Sequence, residues 1–238
     1  MRVAVFSDVH GNMHALDAVL TDIARQDVDR LICLGDLVGY GAFPNEVIQT
    51  LRERDIATIM GNYDDGVGFD RGDCGCAYRT PADRERGNQS LLWTQQQVSD
   101  ENKAFLRGLP LHLAIEVHGL KVRFVHGSPR RINEYLFEDR PPASFERTLD
   151  AAGADVLVCG HTHIPYHRIF GGRHVVNDGS VGKPKHGDPR ACYAVLELNG
   201  GVVVEFHFVD YDHRAAALSV EAAGLPREFA EVLTAGQG

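Results

Sequence analysis

Seven side chains of metal-binding type fall just after apolar runs: Asp8, His10, Asp36, Asn62, His126, His161 and His163. All are oxygen or imidazole-nitrogen donors, a set that suits two borderline divalent cations better than a thiolate-loving one. Asp8 and His10, two residues apart on a loop leaving a strand, can converge on one cation. A single strand-end aspartate or histidine is more often a turn former or a satisfied polar group. Five separate runs ending in such donors are better explained by one shared site.

The elements that must position these residues alternate along the chain. Met1 to Phe6 is an apolar run without helical period, read as a buried strand ending at Ser7-Asp8-Val9-His10-Gly11-Asn12. Asn12 caps a helix whose inward face is Leu16, Val19, Leu20 and Ile23. Leu31 to Leu34 is a second strand, running into Gly35-Asp36, and a helix over about Pro44 to Asp55 leads to a strand over Ala57 to Met60. Asp65 to about Gly108 changes rhythm. Four glycines with Asp70, Arg71 and Asp73 predict a polar loop, followed by one or two helices over Pro81 to Val98 and another capped by Ser99. This stretch reads as an inserted cap.

Leu111, Leu113, Ile115 and Val117 alternate into a hairpin whose return strand, Lys121 to Val125, delivers His126. A helix near Phe145 to Ala152 precedes the apolar run Asp155 to Cys159 and then Gly160-His161-Thr162-His163. Short strands near Arg168 to Phe170 and His174 to Asn177 lead to the loop Asn177 to Gly182. Two longer strands, Ala191 to Leu198 and Val202 to Val209, meet across Asn199-Gly200-Gly201. Two short helices form a tail over about 212–238. The order predicts an α/β chain of one domain over 1–238, with its cap-like insertion at about 65–108.

Composition narrows the function classes. With 238 residues, 44% hydrophobic and 24% charged, the chain can bury a full core, and no stretch is apolar enough to span a bilayer. A strand at the very N-terminus, without a secretory signal, predicts a cytoplasmic protein with no membrane partner. The formal net charge of -9 argues against binding a nucleic-acid duplex, but allows a small phosphorylated substrate held through metal ions. Five scattered cysteines do not form a disulfide framework. Homo-oligomers remain open.

Asp8-Val9-His10, Gly35-Asp36, Gly61-Asn62-Tyr63-Asp64, His126 and Gly160-His161-Thr162-His163 together resemble the D-x-H, G-D, G-N-H-[DE], H and G-H-x-H pattern of the calcineurin-like metallophosphoesterases. The resemblance runs from Met1 to about Leu198 and is closest to the small bacterial and archaeal phosphodiesterase branch. It implies a four-layer α/β/β/α sandwich of two mixed sheets with a small helical cap. It also implies two divalent cations, manganese first, with iron, zinc, nickel, cobalt or magnesium as alternatives. By position, Asp8, His10 and His163 would hold one, Asn62, His126 and His161 the other, and Asp36 would bridge them. A hydroxide between the cations would attack phosphorus, which makes the chain a phosphoesterase with phosphodiesters favoured. A nucleotide, dinucleoside-polyphosphate or protein phosphatase uses the same ligands. A non-catalytic protein-binding module on this fold typically lacks some of them, and here all seven are in place.

Tyr63 is the one clear departure, standing where the family has a histidine placed to protonate the leaving group. With Asp36 and Asn62 it completes the catalytic set that the resemblance implies. The imidazoles of His126, His161 and His163 should each have an acceptor on the other ring nitrogen.

The remaining candidates are read blandly. His112, His118, His174, His207 and His213 lack a partner pattern, and His14 reads as a solvated helix residue. Cys74-Gly75-Cys76 reads as two cap thiols, and Cys33 and Cys159 as small hydrophobes within strands. Arg79, Arg84, Arg130, Arg131, Lys183 and Lys185 could fork or point charge onto a phosphate, but for any one of them surface solvation is the default.

Overall fold

A computed structural model of the chain describes residues 1–236. The predicted tail runs to 238, and positions 237 and 238 lie outside the described residues. Ten strands form two mixed five-stranded sheets. The first has the order β10 (Val202–Val209), β9 (Ala191–Leu198), β1 (Arg2–Phe6), β2 (Arg30–Cys33), β3 (Ala57–Thr58). The second has the order β4 (His112–Val117), β5 (Leu120–Val125), β6 (Val156–Cys159), β8 (Arg173–Asn177), β7 (Tyr166–Phe170).

The pleat decides the layers, because alternate side chains leave a strand on opposite faces. Val3 and Val5 pack with Phe124, Val156, Val158 and Val176 of the other sheet, in a core between the two. Ala4 and Phe6, pointing the other way, pack with Leu16 and Val19 of α1 (Met13–Ile23) and Val47 and Ile48 of α2 (Pro44–Glu53). On the far side, Leu157 and Cys159 meet Phe145 and Leu149 of α6 (Pro142–Ala152). The result is the expected α/β/β/α sandwich.

Two sequence expectations change in the 57–108 stretch. The third strand is only two residues long, and the glycine-rich polar loop predicted from Asp65 is instead entered by a helix, α3 (Asn62–Gly68). Gly66 and Gly68 look like loop residues, but the helix they sit in buries its face: an added Cβ would come within 3.3 Å of Leu91 at Gly66 and 3.1 Å of Leu106 at Gly68. Those neighbours belong to α4 (Pro81–Gln97), which Thr80 caps, and α5 (Asp100–Gly108), opened by its expected cap Ser99. Small residues permit that close packing. Last come α7 (His213–Ala222) and α8 (Arg227–Ala235), which pack on each other through Val220, Phe229 and Leu233.

The parallel pairs β1 with β2, β2 with β3, β5 with β6 and β6 with β8 run their carboxyl ends to one edge of the sandwich. Ligand sites of open α/β sheets form outside such ends.

Candidate metal centre

All seven predicted donors meet at that edge, and all are buried, at 4% exposure or less. Asp8, His10 and His163 form one group in which the offered ligand atoms lie within 4.8 Å of one another, and Asp36, His126 and His161 form a second. Asn62 joins the second group, its Oδ1 3.0 Å from His126 Nε2.

The backbone is bent to achieve this. Asp8, His10, Asp36, His161 and His163 all have φ between 49° and 66°. Non-glycine residues in this left-handed region carry strain, which characteristically collects at functional sites and is held there by the surrounding structure. Backbone hydrogen bonds between the loops supply that hold: Asp8 N to Gly35 O at 2.9 Å, His10 N to Asp36 O at 2.9 Å and Gly160 N to His126 O at 2.9 Å.

Hydrogen bonds settle which atoms face inward. His10 Nδ1 lies 3.0 Å from Val38 O, His163 Nδ1 2.6 Å from Lys183 O and His126 Nδ1 2.9 Å from Leu34 O. A carbonyl only accepts, so each Nδ1 carries the proton and, in the neutral ring, each Nε2 presents a lone pair. Yet His10 Nε2 and His163 Nε2 face each other at 3.3 Å, and His126 Nε2 faces His161 Nδ1 at 3.2 Å. Between His10 and His163, facing lone pairs want a cation, and His126 Nε2 offers a lone pair once its own proton is displaced. Asp8 Oδ1 is a buried carboxylate oxygen without a hydrogen-bond partner, 3.2 Å from His163 Nε2. The residues present therefore fit two divalent ions.

His161 departs from expectation. Its Nε2 is buried with no partner among the described residues, and the ring is held instead by Tyr135, whose ring centroid lies 3.9 Å away.

Electrostatics sorts the four imidazoles. Burial lowers His161 to about 3, helped by the charge of His126, and lowers His163 to about 3, helped by Lys185. His161 and His163 are therefore neutral donors at any ordinary pH, and burial shifts His10 in the same direction. Burial opposes charge on His126 as well, but Asp36 outweighs it and pushes His126 up to about 10. Burial likewise opposes charge on Asp8, and the neighbouring His163, His126 and His10 outweigh it, so the carboxyl is held well below its usual range.

Below about 10, metal-free His126 carries a proton that a cation must displace, so affinity weakens as pH falls and binding at neutral pH releases about one proton. Calorimetric titration of manganese in two buffers of different ionisation enthalpy measures that release. Equal heats in both buffers would contradict it.

Several supports were not legible in the sequence. Asp64 accepts from the N–H groups of Asp36 at 2.8 Å, Leu37 at 2.9 Å and Gly61 at 2.9 Å, locking the Asp36 loop to the start of α3. Burial and the Asp36 charge push Asp64 up to about 7 against the pull of those N–H groups. Ser7 Oγ lies 2.6 Å from Asp8 Oδ2 and 2.9 Å from Asp178 Oδ1, and burial raises Asp178 well above the usual carboxyl range. One hydroxyl proton cannot serve both carboxylates, so Asp178 supplies the second as the neutral acid. Cys76, read as a cap thiol, accepts from Asn62 Nδ2 at 3.2 Å, beside Cys74 O at 3.0 Å, which turns the Asn62 oxygen toward His126.

Other candidates separate. Tyr63 is 1% exposed, edge-on to His10 at 5.5 Å, and its hydroxyl has no partner among the described residues. Burial raises it well above 10. His14 packs edge-on against Phe43, and Arg130 is tied to Glu134 at 2.7 Å. Arg79 and Arg84 line an exposed groove with Tyr78.

Gly61 shows how little room the site leaves. A Cβ there would lie 2.1 Å from Asp36 N and 2.2 Å from Asp36 Oδ1. Gly61→Ala is therefore expected to displace Asp36, lowering stability by about 1–3 kcal/mol and reducing bound metal. Thermal melting and elemental analysis check this, and wild-type values in both would refute it.

Comparison with known proteins identifies the family. The family model for the calcineurin-like phosphoesterase superfamily domain matches residues 1–201. The chain is 33% identical to the Methanocaldococcus jannaschii protein MJ0912, over 99% of this chain and 98% of that one. Phosphodiesterase YfcE of Escherichia coli is 26% identical over 83% of this chain and 88% of its own length. A metallophosphoesterase from Sphaerobacter thermophilus superposes with a TM-score of 0.81 at 31% identity, covering 99% of both chains.

Proposed function

The chain belongs to the calcineurin-like phosphoesterase superfamily, and we propose that within it this protein is a metal-dependent phosphodiesterase acting on small phosphate esters. The observation that carries the reading is the pair of buried donor groups whose ring nitrogens face each other, His10 against His163 beside Asp8 and His126 against His161 beside Asn62. Asp8, His10 and His163 would hold one cation, and Asn62, His126 and His161 the other. Asp36 is shared, since its Oδ2 lies 3.6 Å from His10 Nε2 and 3.5 Å from His126 Nε2. The donor set, oxygen and imidazole without thiolate, suits manganese.

When bound, two such cations activate water as the nucleophile and neutralise charge developing on the phosphoryl oxygens. The chain's own work is positioning. Asp36 is fixed through its Oδ1, which accepts from Tyr63 N at 2.8 Å, and through its backbone N–H on Asp64. Backbone carbonyls of Val38, Leu34 and Lys183 fix three imidazoles in the tautomer that presents Nε2. No serine or cysteine is placed as a nucleophile in this reading, and Ser7 is spent on holding Asp8.

The diester preference rests on Tyr63, a buried hydroxyl that keeps its proton at neutral pH where a leaving-group acid would stand. The relatedness to phosphodiesterase YfcE supports it. The test is a panel of aryl and nucleotide mono- and diesters, assayed with manganese, nickel, cobalt, zinc and magnesium in turn. Hydrolysis of activated diesters ahead of alkyl monoesters is expected. No hydrolysis of any activated diester with any of these metals would end the enzyme reading.

A further inference from the structure

Lys183 and Lys185 follow the loop 177–182, where solvation is the sequence default. The structure buries Lys183 instead, at 9% exposure. Its ammonium lies 4.2 Å from the centroid of the Tyr40 ring, which meets His10 edge-on at 5.0 Å. Among the described residues no carboxylate comes within 4.0 Å of that ammonium. The segment is also pinned to the metal centre, since Lys183 O accepts from His163 Nδ1 and Lys185 N donates to His163 O at 3.3 Å. Half-buried Lys185 stands close enough for its charge to act on both His161 and His163.

A buried ammonium ordinarily has a counter-ion, because leaving it unpaired costs several kcal/mol. The Tyr40 face meets only part of that need, through a cation–π attraction. Asp8 and Asp36 cannot meet the rest, because the centre commits both carboxylates to cations. Two dications beside two carboxylates leave the centre positive, and two ammonium groups beside it add to the excess. An anion of high charge density between them would offset that excess, and compact ammonium heads with three rotatable donors suit phosphoryl oxygens.

Resting on the phosphoesterase reading above, we infer that Lys183 and Lys185 receive the non-bridging oxygens of the substrate phosphate and are its binding residues opposite the metal pair. Lys183 acts from the His10 side. Lys185 acts from beside His163, to whose carbonyl its backbone N–H is bonded.

The experiment measures binding of inorganic orthophosphate by calorimetry to manganese-loaded wild type, Lys183→Met, Lys183→Arg and Lys185→Met. Metal content and melting temperature are measured on the same samples. Methionine keeps the length of the buried stem and removes only the charge. Both methionine variants should keep wild-type metal content and bind orthophosphate about 10- to 100-fold more weakly, as expected for a charge-assisted hydrogen bond. Ester KM should rise with it, and Lys183→Arg should recover part of the affinity because the charge is retained. Full metal occupancy with wild-type phosphate affinity in both methionine variants would overturn the inference. Should Lys183→Met lose metal or fold, the more exposed Lys185→Met decides. If wild type hydrolyses no ester while the variants lose phosphate binding, the esterase reading fails and the subsite stands. If wild type hydrolyses esters and the variants bind phosphate normally, only the subsite fails.

Discussion

Asp36→Asn is expected to lose both cations together and with them turnover. Asp36 Oδ2 lies between His10 Nε2 and His126 Nε2, at 3.6 and 3.5 Å, so one oxygen serves both donor groups. A neutral amide bridges two dications poorly, and removing one charged partner from a buried site costs about 3–5 kcal/mol, or roughly 10²- to 10⁴-fold in occupancy or rate. The fold should survive. Asp64 still holds the backbone N–H groups of residues 36 and 37, and the amide oxygen can still accept from Tyr63 N. Elemental analysis beside steady-state rates checks this. Full dinuclear occupancy with near-normal turnover in the mutant would remove Asp36 from the bridging role.

The second large effect is expected at Tyr63. Burial raises its hydroxyl well above an already high phenolic pKa, so it stays protonated and gives up a proton poorly at neutral pH. A departing alkoxide therefore gains little from it, whereas an aryl oxide departs without help. In wild type, rate should fall steeply as leaving-group pKa rises. Tyr63→His places an imidazole, with an unperturbed pKa of about 6.5, beside His10, and well-placed acid catalysis contributes roughly 10² to 10⁴ in rate. The gain should appear with poor leaving groups and be small with good ones. A leaving-group series on both proteins decides the matter. A shallow dependence in wild type, unchanged in the mutant, would show that the proton comes from elsewhere and would remove the basis for preferring diesters.

Much of the site was legible because each donor sits where an apolar run stops, and a parallel sheet brings those stops to one edge. The unbroken apolar run Val3 to Phe6 shows a strand covered on both faces, while the partners of each face, Phe124 on one and Leu16 on the other, come from the packing. What escaped is what depends on distant chain segments. The carbonyls that orient His10, His126 and His163 belong to Val38, Leu34 and Lys183, and a carbonyl has no sequence signature. The helix α3 begins on Asn62 itself, disguised by glycines whose use is close packing against Leu91 and Leu106. Lys183 was misread for a related reason. Its burial comes from Tyr40, far away in sequence, and a lone lysine near glycines otherwise reads as solvated.

The measurement that bears most directly on the dinuclear reading is a metal titration of the chelator-stripped protein. Manganese is added stepwise while bound metal and the hydrolysis rate of an aryl phosphodiester are read together. The rate should rise from near zero and level off with binding at about two equivalents per chain, as a two-metal site requires. Full activity in the stripped protein, or a rate that saturates while only one ion is bound, would contradict it.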